Sequence, residues 1–407
     1  MTLTKQQKEC YQKFNELKVG ALFMKQGTGK TRVAIELANS TDVQLVCFIV
    51  PHALKNNTKE EIDKWGLKKT YIIETYQGIA MSDVRYLKLL EELKDKSVMI
   101  ICDESAFIKN DESKTYNRLI ELAKYSDYRL ILNGTPITKN EWDIYNQMYF
   151  LSPLILNMER YQFLNTFFKK IQYKKKGCRP NSFYKISEVN IEYLQKLIEP
   201  YTFYVDLQFN KQETHRTIHA YGGVDDEYYD LKDKLLISIE KGSDLIVRQL
   251  RIMEHLIFTD TERLDQIVPH IKGQSVVFCN FRKEIEYLSS KLDCYMIHGD
   301  IKNRTEIINQ FKNDNKPLLI MLGIGAFGHN LQFCNKVYFS SITFDYGKID
   351  QAMYRIKRLG QERNIEYVYF DSNYGLYNMI EDNLNNKQTL HDLIIEKLEV
   401  GNFGDSL

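Results

Sequence analysis

The sequence has no long hydrophobic run, no excess of charge of either sign and no paired cysteines. Its 407 residues contain no apolar stretch of about 18 residues, the length that indicates a membrane-spanning helix. The amino-terminal stretch MTLTKQQKEC lacks the apolar region of a signal peptide. We therefore expect a cytoplasmic protein that does not act on a membrane.

Charge and cysteine usage exclude further classes of protein. The 55 lysines and arginines are balanced by 54 aspartates and glutamates, which leaves a net charge of +1. Any surface that binds nucleic acid must therefore be local. The seven cysteines form no CxxC pair, which argues against a zinc site and favours buried free thiols. The many Lys, Asn, Ile and Tyr residues favour a phage or bacterial origin.

Two sets of short apolar runs are present instead. The first set is GALFM (20–24), VQLVCFIV (43–50), VMIIC (98–102) and RLILN (129–133). The second set is SVVFC (275–279), CYMIH (294–298), LLIML (318–322), KVYFS (336–340) and IEYVYF (365–370). The runs are continuous rather than alternating, and helical patterns lie between them. This arrangement predicts parallel strands that are covered on both faces.

The same rhythm sets the expected domain organisation. A chain of this length is too long for one hydrophobic core. We predict an α/β fold with two parallel-sheet lobes in tandem, lobe 1 over residues 1–152 and lobe 2, with C-terminal helices, over residues 261–407. Residues 153–260 lack the strand rhythm and are predicted to form a mainly helical, basic insertion and linker.

The segment MKQGTGKT (24–31) follows the first strand and opens a helical pattern. Its glycines allow backbone N–H groups to wrap around phosphate oxygens at a helix N-terminus. Lys30 is expected to reach the β- and γ-phosphates, and Thr31 to bind Mg²⁺. The strict phosphate-loop pattern has glycine at position 24, where this chain has Met24. The residues expected to bind the nucleotide here are Gly27, Thr28, Gly29, Lys30 and Thr31.

A second segment, which is acidic, also indicates a nucleotide hydrolase. Asp103 and Glu104 follow the strand VMIIC, and open α/β sheets bind their ligands at the carboxyl ends of strands. Asp103 is suited to hold Mg²⁺, directly or through water. Glu104 is suited to orient or deprotonate an attacking water.

Seven segments, in order along the chain, resemble the motifs of superfamily-two helicases, and specifically of the Swi/Snf-type DNA translocases. Motif I of that family often has no glycine at the position of Met24. The matching segments are MKQGTGKT, VPHALKNNTKEEIDKW, DESAFIKN, LILNGTPITKNEWDIYNQMYFLSP, IHGDIKNRTEIINQF, GAFGHNLQFCNKVYF and QAMYRIKRLGQ.

The resemblance implies two RecA-like lobes and a nucleic-acid-dependent ATPase that uses ATP with Mg²⁺ and binds duplex DNA. Arg355 and Arg358 would reach from lobe 2 to the nucleotide as arginine fingers. Their spacing of three residues is that of neighbours on one helix face. Gln7, or its neighbour Gln6, would read the adenine edge. The remaining residues implied by the resemblance are Gly325 and Gln351 for nucleotide binding, and Thr135, Pro136 and Asn330 for coupling.

Residues 160–187 contain eight lysines or arginines and no acidic residue, and aromatic residues lie among them. This segment is expected to bind nucleic-acid phosphates. The alternative is a solvated basic face on a helix whose aromatics are core. The nucleic-acid candidates are Lys169, Lys170, Lys174, Lys175, Lys176 and Arg179 in this segment, together with His52 and Lys55, which the resemblance implies.

Two departures from the family pattern keep other functions open. Ala106 and Lys357 occupy positions where the family usually has histidine, so a polar link between motif II and motif III or VI is in doubt. The leading interpretation is an ATP-driven double-stranded DNA translocase. One alternative is a helicase that separates strands or migrates branches in DNA or RNA. The other is a nucleotide-gated DNA-binding subunit of a larger assembly.

Overall fold

The computed structural model describes most of the chain and divides it into two compact units. The described residues are 2–108, 110–134, 143–173, 181–186, 190–206, 209–240, 245–325, 331–358, 360–386, 390, 393–394 and 397. Unit 1 spans Met1–Gln208 and unit 2 spans Phe209–Leu407. The predicted middle segment, residues 153–260, is therefore shared between the two units.

Unit 1 is built on a six-stranded sheet in which all neighbouring strands are parallel. The strands in chain order are β1 Val19–Met24, β2 Leu45–Val50, β3 Thr70–Thr75, β4 Val98–Asp103 and β5 Tyr128–Asn133, then β6 Phe168–Tyr173, β7 Asn181–Ile186 and β8 Thr202–Val205. The sheet order is β3-β2-β4-β5-β1-β8, and β6 and β7 form a separate antiparallel pair. The carboxyl ends of β4, β5 and β1 therefore lie next to one another.

Both faces of this sheet are covered by apolar cores. Successive side chains of a strand point to opposite faces, and Ala21 and Phe23 of β1 lie in one core whereas Leu22 and Met24 lie in the other. All six residues of β2 and of β4 are buried. This double burial explains why the strands are continuous apolar runs in the sequence.

The first helix of unit 1 precedes the strands, and the other helices lie between strands along the chain. Their bounds are α1 Lys5–Phe14, α2 Lys30–Ser40, α3 Lys55–Trp65, α4 Tyr76–Met81, α5 Asp83–Leu93, α6 Lys114–Ala123, α7 Asp143–Leu151, α8 Pro153–Leu156, α9 Arg160–Phe167 and α10 Ile191–Ile198. Short 3₁₀ turns cover His52–Leu54, Ser105–Ile108 and Glu199–Tyr201.

Unit 2 repeats this architecture with a second six-stranded parallel sheet. Its strands are β9 Glu213–Ile218, β10 Val276–Cys279, β11 Tyr295–Ile297, β12 Leu318–Met321, β13 Lys336–Phe339 and β14 Ile365–Phe370, in the order β11-β12-β10-β13-β14-β9. Its helices are α11 Asp225–Glu240, α12 Ile246–Phe258, α13 Thr261–Ile267, α14 Arg282–Lys291, α15 Arg304–Lys312, α16 Leu322–Gly325, α17 Tyr346–Ile356 and α18 Gly375–Asn385. A 3₁₀ turn covers Val268–His270.

The prediction of two RecA-like parallel-sheet lobes in tandem is confirmed. The sequence did not predict β3, nor the strands β6 to β9, which lie in the segment read as helices and loops. β8 and β9 complete the edges of the two sheets. Within the described part of the chain, no helix is both long and apolar enough to cross a membrane. The prediction of buried free thiols is confirmed for Cys10, Cys47, Cys102, Cys279 and Cys334. Cys294 is free but only partly buried, and Cys178 lies outside the described residues.

Candidate nucleotide site

The loop between β1 and α2 has a backbone that only glycine adopts without strain at two positions. Gly27 has φ of 81° and Gly29 has φ of 87°, both in the left-handed region. Gly29 is also the N-cap of α2, so Lys30 is the first helical residue and Thr31, which is half-buried, the second. Thr28 closes the loop by donating its Oγ1 to the Lys25 carbonyl at 2.6 Å. The predicted phosphate-loop residues therefore form a turn at a helix N-terminus.

Gln7 rests directly on this loop. Its Nε2 donates to the Thr28 carbonyl at 2.9 Å, and its Oε1 accepts from the Thr4 backbone N–H at 3.0 Å. A Cβ added at Gly29 would lie 2.3 Å from the Gln7 Nε2, so this contact also requires glycine. A Gln amide has two donor hydrogens and two acceptor lone pairs. One of each is used here, which leaves one donor and one acceptor, the pair that an adenine edge needs.

Lys30 and the two predicted carboxylates form a buried charged cluster. The Lys30 Nζ lies 3.3 Å from the Glu104 Oε1 and 3.8 Å from the Asp103 Oδ1. The relative exposure of Lys30, Asp103 and Glu104 is 9%, 8% and 5%. Burying a charged group removes it from water, which costs free energy. Such groups are therefore found where a partner of opposite charge or a function retains them. The structure thus brings Lys30 at the end of the glycine loop together with the two carboxylates after β4.

The backbone turn that carries these carboxylates is held in an unusual conformation. Glu104 has φ of 52°, in the left-handed region that a non-glycine residue adopts at a cost. The Glu104 N–H donates to the Asp103 Oδ1 at 2.9 Å. The Tyr76 hydroxyl donates to the Asp103 carbonyl at 2.8 Å, and the Tyr76 ring stacks on Phe107 with centroids 5.1 Å apart. Burial, with weaker repulsion from Cys102 and Asp103, raises the pKa of Tyr76 well above its ordinary value, so the hydroxyl remains a donor.

The turn also has a polar link to α7. The Ser105 Oγ donates to the Gln147 Oε1 at 2.6 Å, and neither residue is exposed. The presence of Ala106 had put a polar link from this segment in doubt. Ser105 supplies such a link to Gln147, which lies in α7 within the third-motif segment.

The structure explains why the chain can depart from the strict phosphate-loop pattern at Met24. It is the last residue of β1, is fully buried and pairs with Val205 of β8. A side chain at this position packs in the core on one face of the sheet, so the glycine loop begins only after it.

In unit 2, the two predicted arginines do not lie on one helix face. Helix α17 ends at Ile356 and its C-cap is Lys357, so Arg358 lies beyond the helix. The spacing of three residues had predicted a continuous helical face, and this expectation was wrong. Arg355 is buried at 4% exposure, so it is not part of a solvated face either. The Arg358 Nε donates to the Tyr354 carbonyl at 2.9 Å.

Lys357, the second departure from the family pattern, ties the end of α17 to the edge of the sheet. Its Nζ lies 2.6 Å from the Glu213 Oε1 of β9. It also lies over the rings of Phe209 and Tyr354. A lysine here therefore has a structural partner within unit 2.

The connection from β13 to α17 is unusually buried and polar. Ser340, Ser341 and Thr343 are completely inaccessible, although connections normally run over the surface. Glu284 of α14 accepts from the Ser340 and Ser341 hydroxyls, each at 2.8 Å. Burial raises the pKa of Glu284 to about 7, against the opposing effect of these donors and of the Phe281 N–H.

Two further buried side chains hold the same connection. The Arg263 Nη2 donates to the Ser340 carbonyl at 2.8 Å, and the Asn383 Nδ2 donates to the Phe344 carbonyl at 2.9 Å. Arg263 and Asn383 are both completely inaccessible. The segment that leads into α17, and so to Arg355, is therefore fixed by side chains from three different helices.

The other predicted residues are placed as follows. Gly325 ends α16, and Gln351 lies half-buried in α17, both in unit 2. His52 begins the 3₁₀ turn after β2, and Lys55 begins α3; both are exposed. Lys169 and Lys170 lie in β6, and Lys169 is exposed. Outside the described residues lie Thr135, Pro136, Lys174, Lys175, Lys176, Arg179 and Asn330.

Sequence reasoning missed Tyr76, Ser105 and Gln147. Tyr76 follows the carboxyl end of β3, and that position was a usable signal because parallel strands place functional residues there. The pairing of Ser105 with Gln147 spans 42 residues, and no local pattern in the sequence indicates it.

Comparison with protein families identifies both halves of the chain. The SNF2-related domain matches residues 44–204, and the helicase conserved C-terminal domain matches residues 259–360. The chain belongs to the Swi/Snf type of superfamily-two helicases. Membership of this family implies a nucleic-acid-dependent ATPase.

Individual relatives are distant. The chromatin remodeling factor mit1 of Schizosaccharomyces pombe is 22% identical over 92% of this chain and 31% of its own length. The uncharacterized ATP-dependent helicase YqhH of Bacillus subtilis is 22% identical over 76% of this chain and 63% of its own length. The chain thus spans about a third of the first relative and under two-thirds of the second.

Solved structures of the same family are similar in sequence at a low level. The Sulfolobus solfataricus SWI2/SNF2 ATPase core in complex with dsDNA is 20% identical, with 98% of this chain and 94% of that chain covered at a TM-score of 0.43.

Proposed function

We propose that this protein is an ATP-dependent translocase that moves on double-stranded DNA. The observation that carries the proposal is the buried cluster of Lys30, Asp103 and Glu104 beside the glycine loop, in a chain of the Swi/Snf type. Two relatives are named as an ATP-dependent helicase and a chromatin remodelling factor, which supports ATP and DNA as the ligands.

The residues of unit 1 fit a nucleotide with a divalent cation. The glycine loop and the N-terminus of α2 offer backbone N–H groups to phosphates, and Lys30 adds a positive charge for the β- and γ-phosphates. Thr31 and Asp103 offer the oxygen ligands that Mg²⁺ prefers. Mg²⁺ bound there would offset the negative charge of the phosphate oxygens. Glu104 is left as the group that orients the attacking water and takes its proton.

The base and the remaining phosphate charge require further groups. Gln7 uses its free donor and acceptor on the adenine edge. Arg355 and Arg358 supply guanidinium groups to the phosphates during hydrolysis, because their charge is permanent and matches two oxygens at once. The other assignments from the resemblance, which remain proposals, are Gly325 and Gln351 for the nucleotide and Thr135, Pro136 and Asn330 for coupling.

Two substitutions in unit 1 test the assignment of ATP hydrolysis. Lys30→Ala removes the phosphate-binding ammonium, and we expect both ATP binding and turnover to be lost. Glu104→Gln keeps the shape and removes the base, so we expect ATP to bind normally while turnover is lost. Binding is measured by equilibrium fluorescence of a labelled ATP and turnover by phosphate release. Turnover near the wild-type rate in either variant would show the assignment to be wrong.

A panel of polymers separates the translocase from its alternatives. ATP turnover is measured with duplex DNA, single-stranded DNA, forked DNA, RNA and no polymer. Stimulation by plain duplex DNA without separated strands supports translocation. Stimulation that requires forks or RNA supports a strand-separating helicase, and ATP binding without turnover on every polymer supports a nucleotide-gated subunit.

The cytoplasmic location remains a prediction from the sequence.

A further inference from the structure

Helix α4 lies between the exposed turn after β2 and the turn that carries the two carboxylates. It has six residues, Tyr76–Met81, and begins directly at the carboxyl end of β3. Its first turn is fixed by Thr75, whose Oγ1 accepts from the Gly78 N–H at 2.9 Å. At its other end, the Arg118 guanidinium donates to the Ile79 carbonyl. The helix is therefore fixed at both of its ends.

The first residue of α4 holds the carboxylate turn. Tyr76 is 1% exposed and donates its hydroxyl to the Asp103 carbonyl at 2.8 Å. Its ring is nearly parallel to the Phe107 ring, with an interplanar angle of 7°. One side chain therefore contacts both ends of the turn in which Glu104 has its left-handed conformation. Because that conformation is costly, the orientation of Glu104 depends on such contacts.

The second residue of α4 holds the exposed turn. The Gln77 Oε1 accepts from the His52 backbone N–H at 3.0 Å. His52 starts the 3₁₀ turn that leads into α3, where Lys55 is the first residue. These two residues are candidates for contact with nucleic acid. Consecutive residues of one short helix thus contact the candidate nucleic-acid turn and the candidate catalytic turn.

We propose that α4 couples the two turns, with Gln77 responding to nucleic acid at residues 52–55 and Tyr76 setting the position of Glu104. This inference rests on the proposed function. Nucleic acid that orders the turn at His52 fixes Gln77, and the Tyr76 hydroxyl then holds the Asp103 carbonyl in the orientation that hydrolysis requires. Tyr76 and Gln77 are positioning residues, since neither contacts the nucleotide in this scheme.

Gln77→Ala and Tyr76→Phe remove the two hydrogen bonds and leave the packing intact. The measured quantity is the ratio of ATP turnover with saturating duplex DNA to turnover without DNA. Coupling between two sites typically changes binding affinity by a factor of about 5 or more, and we expect the DNA-stimulation ratio to fall by a similar factor of about 5 in each variant. For Gln77→Ala we expect turnover without DNA and the KM for ATP to remain at wild-type values. The DNA affinity of each variant is measured by fluorescence anisotropy, and the DNA concentration is then set high enough to saturate that variant.

Matched controls exist for both variants. Gln44 is exposed, and its Oε1 accepts from the Ser97 N–H at 3.0 Å. Tyr338 is also 1% exposed and donates its hydroxyl to the His270 carbonyl at 2.6 Å. Gln44→Ala and Tyr338→Phe therefore remove equivalent bonds elsewhere, and we expect both to retain the wild-type ratio. Equal losses in variants and controls would show a general structural effect and overturn the proposal.

The double variant Tyr76→Phe with Gln77→Ala tests whether the two residues act in series. Substitutions at residues that act through the same series of contacts have non-additive effects. We therefore expect the DNA-stimulation ratio of the double variant to be no lower than that of the more affected single variant. Independent, additive losses would overturn the coupling role of α4. A wild-type rate that duplex DNA does not change would overturn the proposed function and this inference together. A stimulated wild type whose stimulation survives in Gln77→Ala would overturn the inference alone.

Discussion

At the scale of single residues, one feature that affects stability is a buried carboxyl group in unit 2. Glu254 of α12 is completely inaccessible to solvent. Burial raises its pKa to about 7, and Arg251, Thr343 and the Phe344 backbone oppose this only in part. The carboxyl group faces the same buried connection that Glu284 and Arg263 hold.

The raised pKa of Glu254 predicts a pH-dependent stability. Between the ordinary pKa of 4.5 and the folded value of about 7, the folded chain keeps a proton that the unfolded chain has released. The free energy of unfolding therefore falls as pH rises through this window, by about 1.4 kcal/mol per pH unit. Glu254→Gln cannot titrate, so we expect it to stabilise unit 2 by up to about 3 kcal/mol at pH 8 and to have no effect at pH 4.5.

The measurement is hydrogen exchange of the β10 and β13 amides, corrected for the intrinsic exchange rate at each pH. Tryptophan fluorescence would not report on unit 2, because Trp65 and Trp142 both fall within residues 1–208. Glu286→Gln is the matched control, since Glu286 is an exposed glutamate of α14 that pairs with Arg282. A stabilisation by Glu254→Gln that is the same at every pH would contradict the titration argument.

At the scale of elements, the sequence predicted what depends on local pattern. The strands β1, β2, β4 and β5 were found because both of their faces are buried, which makes them continuous apolar runs. β9 was missed because its four central residues are exposed, so it has no apolar run. The glycine loop was predicted because its chemistry is contiguous. The polar contacts of Tyr76 and Glu284 were not, because their partners lie 27 and 56 residues away.

In the basic segment, residues 160–187, the structure decides the role of the aromatic residues but not that of the lysines. Phe163, Phe167 and Phe168 belong to the core of unit 1, so the packing alternative holds for these aromatics. Tyr161 is 74% exposed. The strands β6 and β7 form an antiparallel pair, and the basic cluster at residues 174–176 comes between them in the sequence. Nucleic-acid binding by this hairpin remains a prediction that depends on its lysines.

Replacement of Lys174, Lys175 and Lys176 by Ala tests that prediction. Each lost phosphate contact is expected to lower the slope of log K against log salt by about one unit. We expect weaker duplex binding and a slope reduced by up to about three units, with unchanged ATP turnover in the absence of DNA. The control removes the same charge from exposed positions in and after α5, namely Lys88, Lys94 and Lys96. An unchanged slope in the first variant would assign these lysines to a solvated face.

At the scale of the whole molecule, the candidate ATP machinery is divided between the two units. Unit 1 carries the glycine loop, Lys30 and the two carboxylates, and unit 2 carries Arg355 and Arg358. Neither compact unit contains the complete set. Under the proposed function, hydrolysis requires residues of both units, and this requirement links ATP turnover to movement on DNA.

The arginines of unit 2 give the sharpest test of that dependence. Groups that act in the transition state more than in the ground state change kcat rather than binding. We expect Arg358→Ala to lower single-turnover hydrolysis with saturating duplex DNA by about 10³-fold or more, with a much smaller effect on ATP affinity. Arg358→Lys should rescue poorly, because an ammonium lacks the planar fork of a guanidinium. Arg363→Ala is the control, since Arg363 is an exposed arginine of the same region. Near-normal hydrolysis in both Arg355→Ala and Arg358→Ala would confine these side chains to a structural role in unit 2, where Arg355 is already buried.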